Sequence, residues 1–155
     1  MNFEKFLVDP EMKILFVDGP TCIGKTYFFR KFAKEYLDKN GPDSILMTSI
    51  SPMSSKKLFI SSMLRFNIPS KPIDKLIEHF LFQLDNNNTK LILIDESQNL
   101  LHNTDLNIEH FNFMSYLVNS VDIKIIYVGT EPSGKFNLPL SILRNSLSKK
   151  YDQVS

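Results

Sequence analysis

Residues Gly19 to Thr26 read GPTCIGKT, a match to G-x-x-x-x-G-K-[ST] with Gly19, Gly24, Lys25 and Thr26 in register. That spacing suits phosphate. Glycines let the backbone bend until successive N–H groups face phosphate oxygens, and a helix N-terminus adds partial positive charge. Lys25 then reaches the β- and γ-phosphates, and the Thr26 hydroxyl ligates Mg²⁺. Pro20, Thr21, Cys22 and Ile23 fill the variable positions and belong to the same nucleotide-binding loop. Cys22 has two readings: a redox-sensitive thiol at a helix N-terminus, or a filler of a variable position.

A second stretch, LILIDESQNL at Leu91–Leu100, carries acids at the end of an apolar run. Alone, such a pair is ordinarily a solvated strand end. With a phosphate loop upstream it gains a role: in P-loop ATPases an apolar strand beside the loop strand ends in an Asp that holds Mg²⁺. Asp95 fits that position, and Glu96 is placed to orient or deprotonate an attacking water. A third stretch, YVGTEPSGK, puts Thr130 after another apolar run. Ligands of a parallel sheet bind beyond the carboxyl ends of its strands, so Thr130 is placed to sense a γ-phosphate or its water, with plain loop chemistry as the competing reading.

These residues need elements to position them, and the chain supplies an alternation of short apolar runs and longer amphipathic stretches. Strands are predicted at 14–17, 44–48, 91–94 and 123–128, and helices at 25–37, 54–66, 73–84 and 108–118. The stretch from Ile73 to Leu84 is the clearest helix, with Ile73, Leu76, Ile77, Phe80, Leu81 and Leu84 on one stripe. The phosphate loop follows a predicted strand and opens a predicted helix, the context it requires. Alternating strands and helices predict an α/β P-loop domain: a parallel sheet with helices on both faces, spanning 1–155 as one unit.

Bulk properties narrow the function classes. The chain has 155 residues, enough for one domain with a substantial core. Its 18 basic and 17 acidic residues leave a net charge of +1, which argues neither for nucleic acid nor for a membrane surface. One cysteine and three histidines, His79, His102 and His110, offer no disulfide and no zinc spacing. No run approaches the ~18 apolar residues of a membrane span, and the N-terminus lacks a secretion-signal layout. A cytoplasmic protein without a membrane partner is the expectation.

Taken together, the residues resemble the AAA+ ATPases, and within them the TniB-type transposition ATPases. GPTCIGKT and LILIDESQNLLHN carry the general likeness; ILMTSISPMSSKKLFISSMLRFNIP and FMSYLVNSVDIKIIYVGTEP carry the likeness to the transposition group. The resemblance implies an ATP- and Mg²⁺-dependent ATPase that assembles as a homo-oligomer on DNA and helps a transposase choose its target. It implies a Walker B pair at Asp95 and Glu96 and sensor 1 at Thr130. Gln98 departs mildly from the His-Asn more usual in that family. Beside that family, the first strand begins almost at once and no fifth strand is evident after the fourth, which implies a partial or divergent member with short or absent ends. An arginine finger is expected after sensor 1, where Arg144 is the one arginine, with a surface arginine as the alternative. Lys56 and Lys57, beside serines, are candidates for DNA contact or simply a solvated pair. A nucleotide-binding module without hydrolysis, another P-loop ATPase and a nucleotide kinase stay open as alternatives. The kinase lacks an arginine-rich lid, with only Arg30, Arg65 and Arg144 in the chain, and a helicase would need a second motor domain.

Overall fold

A computed structural model describes residues 3–20, 24–52, 55–64, 72–102, 104–130, 138, 144 and 146–150. The element order is α1 (Phe3–Val8), β1 (Ile14–Asp18), α2 (Lys25–Asn40), β2 (Ile45–Ser49), α3 (Lys56–Ser62), α4 (Ile73–Asn86), β3 (Leu91–Asp95), a 3₁₀ turn (Ser97–His102), α5 (Thr104–Ser120), β4 (Lys124–Gly129) and β5 (Ser146–Lys150). The strands form one five-stranded sheet in the order β2-β3-β4-β1-β5. All its pairings are parallel.

The continuous apolar runs follow from this architecture. A central parallel strand is covered on both faces, so residues pointing either way must be apolar. Ile14–Val17 and Leu91–Ile94 are fully buried, and Ile125–Val128 likewise. Alternate residues then serve opposite cores. Ile14, Phe16, Ile92, Ile94, Ile125 and Tyr127 pack with residues of α3, α4 and α5. Leu15, Val17, Leu91, Leu93, Ile126 and Val128 pack with residues of α1 and α2. Each such large side chain contributes about 1.5–3 kcal/mol relative to exposure, so these two layers dominate the stability.

Two expectations about the strands are corrected, and the residues ahead of β1 acquire an element. A fifth strand is present: β5 pairs with β1, Ser146 opposite Ile14 and Lys150 opposite Asp18. Its SLSKK sequence lacks the apolar run that marks the other strands, so pattern alone did not reveal it. The residues ahead of β1 form α1, which Phe3 ties to α2 by edge-on ring contacts with Phe29 and Phe32 at 6.0 and 4.5 Å. Lys124 fastens the turn after α1, donating to Asp9 O at 2.5 Å and to Met12 O, with its amine 4.8 Å from the Phe6 ring centre. Finally, β3 does not lie beside β1; β4 is inserted between them.

The helix boundaries also shift for local reasons. Helix α2 runs on to Asn40 because the N–H of Gly41 still closes on Leu37 O at 2.8 Å. Helix α3 starts at Lys56 because Ser55 caps it, its hydroxyl accepting from the Leu58 N–H. Helix α5 begins at Thr104, four residues ahead of the predicted 108. Among the described residues, no helix is long and apolar enough to cross a membrane.

Candidate functional site

The site is built at the carboxyl edge of three neighbouring strands. The register pairs Asp18 at the end of β1 with Gly129 at the end of β4, and β4 is flanked on its other side by β3, which ends at Asp95. With neighbouring strands about 4.8 Å apart, the ends of β1 and β3 stand roughly 10 Å from each other. The β4 end fills the gap between them.

Gly24 brings α2 to this edge. Its φ of 88° lies in the left-handed region, which costs a side-chain-bearing residue about 1–2 kcal/mol and costs glycine little. The next residue, Lys25, starts the helix and turns its side chain inward, leaving it 8% exposed. Its amine donates to Gly19 O and, at 2.8 Å, to Gly129 O. Burial pushes the Lys25 amine below the usual lysine range, while Asp95, Asp18 and Glu96 pull it back up.

Asp95 is half-buried at the strand end. Its carboxyl is pushed above the ordinary carboxylate range chiefly by desolvation, against which the Glu96 N–H, Lys25 and Arg30 favour its charged form. The Glu96 N–H donates to Asp95 Oδ1 at 2.8 Å. Glu96 has φ 58°, a left-handed turn by a residue with a side chain. That turn redirects the chain from the strand into the 3₁₀ segment and leaves the Glu96 side chain exposed beside the cavity. Strain of this kind costs of the order of 1–3 kcal/mol and concentrates at functional positions. Asn99 secures the turn, donating from Nδ2 to Ile50 O at 2.6 Å, while the Ile50 N–H donates to Asp95 O at 3.1 Å.

Gly24, Lys25 and Thr26, then Asp95, Glu96 and Gln98, then Gly129 and Thr130, line one cavity of about 330 Å³. Residues spread over more than a hundred positions of sequence thus converge. Thr26 and Asp95 also border a second pocket of about 280 Å³ with Arg30, Thr48 and Ser49, so both stand between two openings. Gly19 joins the cavity through its carbonyl on Lys25, and Pro20 is exposed beside it. Thr21, Cys22 and Ile23 lie outside the described residues.

The other candidates stand apart. Arg144 is exposed and precedes Ser146, which pairs with Ile14 at the start of β1, so it sits at the sheet edge opposite the cavity. Its own cavity lies at the other end of the sheet. Lys56 leans over the Phe113 ring at 5.9 Å, Lys57 is exposed, and the hydroxyl of Ser55 is engaged as the cap of α3. Among the described residues, no cluster of three or more His, Cys, Asp or Glu side chains is set to hold a metal.

The sequence did not single out Gly129 or its neighbour contacts. A β-carbon built there would lie 2.2 Å from Ser97 Oγ and 3.2 Å from the Gln98 nitrogen. Glycine suits this position because the Ser97 side chain and the Gln98 backbone press against the end of β4. Its carbonyl accepts from both the Gly19 N–H, at 3.1 Å, and Lys25. The only signal was a glycine ending an apolar strand, which is common.

The profile of the family described as Bacterial TniB protein matches residues 2–136. The chain belongs to the TniB family. Solved structures give this TniB-family chain an AAA+ fold. The Orc1 protein of Aeropyrum pernix, in complex with DNA, superposes with a TM-score of 0.69 at 10% identity, over 96% of this chain and 41% of that one. Domain III of the replication initiation protein DnaA from Thermotoga maritima gives 0.56 at 15% identity, over 96% and 58%. AMPPCP-bound DnaA from Aquifex aeolicus gives 0.54 at 16% identity, over 96% and 44%. At these identities the likeness is one of fold, and the TniB-family chain spans only 41% to 58% of those structures' lengths. No curated protein matches it.

Proposed function

We propose that this TniB-family chain binds ATP with Mg²⁺ and hydrolyses it, and that this serves DNA transposition or the choice of a transposition target. The observation that carries the reading is the single cavity bringing Lys25 and Thr26 together with Asp95, Glu96 and Thr130. A buried lysine at a helix start, flanked by a left-handed glycine, suits a multiply charged phosphate chain. The likeness to DnaA bound to AMPPCP supports a nucleotide as the ligand.

In this reading the Thr26 hydroxyl and the Asp95 carboxylate hold Mg²⁺, directly or through water. Hard oxygen donors with room for phosphate and water fit that ion. When bound, it neutralises charge on the β- and γ-phosphates. Lys25 exchanges its backbone carbonyls for phosphate oxygens. Glu96 accepts a proton from, or orients, the attacking water, and Thr130 contacts the γ-phosphate or that water.

The likeness to Orc1 in complex with DNA supports DNA as a partner, with Lys56 and Lys57 on α3 as candidate phosphate contacts. A transposase is the second partner. A homo-oligomer is part of the reading, with Arg144 as a candidate arginine finger for a neighbouring copy's cavity. A cytoplasmic location fits the same set.

The test is ATP turnover with and without duplex DNA. Glu96→Gln is expected to bind ATP within a few-fold of wild type while turnover falls 10²- to 10⁴-fold. Wild-type protein that binds ATP and never hydrolyses it, alone or with DNA, would make this a nucleotide-binding module. Transfer of phosphate to a nucleotide would make it a kinase.

A further inference from the structure

Gln98 lies between the two functional strand ends, half-buried in the wall of the cavity. Its Nε2 donates to Glu96 Oε2 at 2.5 Å, and its Oε1 accepts from the Thr130 N–H at 3.3 Å. The chemistry fixes the orientation of the amide. A carboxylate only accepts and a backbone N–H only donates, so one orientation satisfies both and the flipped one satisfies neither. Gly129 permits this contact, since a β-carbon there would lie 3.3 Å from Gln98 Oε1 and closer still to Ser97.

We propose that Gln98 is a positioning residue that ties the Glu96 carboxylate to the Thr130 amide, linking the end of β3 to the end of β4 across the cavity. A glutamine suits this because one planar group carries a donor and an acceptor on a side chain long enough to span the gap. Glu96 is exposed and itself adopts the left-handed backbone turn, so its side chain needs such a partner to hold one position. The tie makes a displacement at Thr130 felt at the Glu96 carboxylate. The effect on turnover rests on the hydrolytic reading above; the tie itself does not.

The experiment uses the full chain with three substitutions at this position. Gln98→Met keeps the length and removes both hydrogen bonds; kcat for ATP is expected to fall about tenfold with KM within twofold of wild type. In the Glu96→Gln background the same change should have no further effect, because the two residues act as a unit. Amide hydrogen exchange followed in ¹H–¹⁵N spectra reads the tie without turnover: Thr130 exchanges faster in Gln98→Met. Gln98→Glu keeps the acceptor for Thr130 and replaces the donor by a second carboxylate. It should retain Thr130 protection while kcat falls, which separates the two halves of the tie even if Gln98→Met folds poorly. A shorter Gln98→Asn should behave as Gln98→Met. Unchanged Thr130 exchange in Gln98→Met overturns the proposal whatever kcat does, as does wild-type kcat in that variant. Wild-type protein without turnover would sink the hydrolytic reading, and the exchange measurement would still decide the tie.

Discussion

The Lys25 amine is buried against two backbone carbonyls, Gly19 O and Gly129 O, with carboxylates at Asp95 and Asp18 nearby. Taking an ammonium out of water is costly unless partners replace the lost hydration, and carbonyls replace it only in part. A phosphate chain would supply full negative charge at that point, so ligand and lysine stabilise each other. Lys25→Ala is therefore expected to weaken ATP binding at least 100-fold, as measured by titration calorimetry. The fold should survive, because the substitution removes the buried ammonium and half-buried Asp95 keeps the Glu96 N–H and Arg30. ATP binding at wild-type affinity in that variant would overturn the phosphate-loop assignment.

At the scale of elements, the site depends on how tightly the 3₁₀ turn after β3 meets the end of β4. Gly129→Ala puts a methyl group 2.2 Å from Ser97 Oγ and 3.2 Å from the Gln98 nitrogen, so the Ser97 hydroxyl must swing away and the Gln98 backbone must give by a few tenths of an ångström. Overpacking of this kind costs typically 1–3 kcal/mol. The shift would also move the Gly129 carbonyl off Lys25 and the Thr130 amide off Gln98. The expected outcome is a Tm lowered by several degrees together with weaker ATP binding. A variant with the Tm and affinity of wild type would show that the contact between the turn and β4 is looser than described. Ser97 explains the demand for glycine, yet Ser97 and Gly129 are far apart in sequence, and neither residue type announces the other.

At the scale of the whole molecule, the core on the α5 side of the sheet holds a buried polar pair. His110 on α5 and Tyr127 on β4 are both buried, with His110 Nε2 2.7 Å from the Tyr127 hydroxyl. Burial lowers the His110 pKa from 6.5 to about 3. The folded protein thus keeps His110 neutral where the unfolded chain takes up a proton. Below pH 6.5 the unfolded state binds more protons, so stability falls as pH falls, down to about pH 3. Asp95, raised by burial, acts in the opposite sense and nearer the carboxylate range. The contribution of His110 between pH 7 and pH 5 is about 2 kcal/mol. Guanidinium unfolding at the two pH values should show that loss in wild type and not in His110→Gln, which can still hydrogen-bond the tyrosine. Equal losses in both proteins would rule out His110 as the source.

The sequence by itself determined the local chemistry: a phosphate loop between strand and helix, an acidic pair closing an apolar run, and apolar runs continuous enough to demand a sheet covered on both faces. Such signals are legible because glycine conformation, helix starts and burial period act over a few neighbouring residues. Tertiary structure alone decided the strand order, which inserts β4 between the loop strand and the strand of Asp95. It also recruited the polar SLSKK segment as an edge strand, since pairing with β1 needs backbone hydrogen bonds and places little demand on side chains. From that order come the Gly129 carbonyl on Lys25 and the amide of Gln98 between Glu96 and Thr130. These contacts join residues with no pattern between them, because only the folded sheet makes them neighbours.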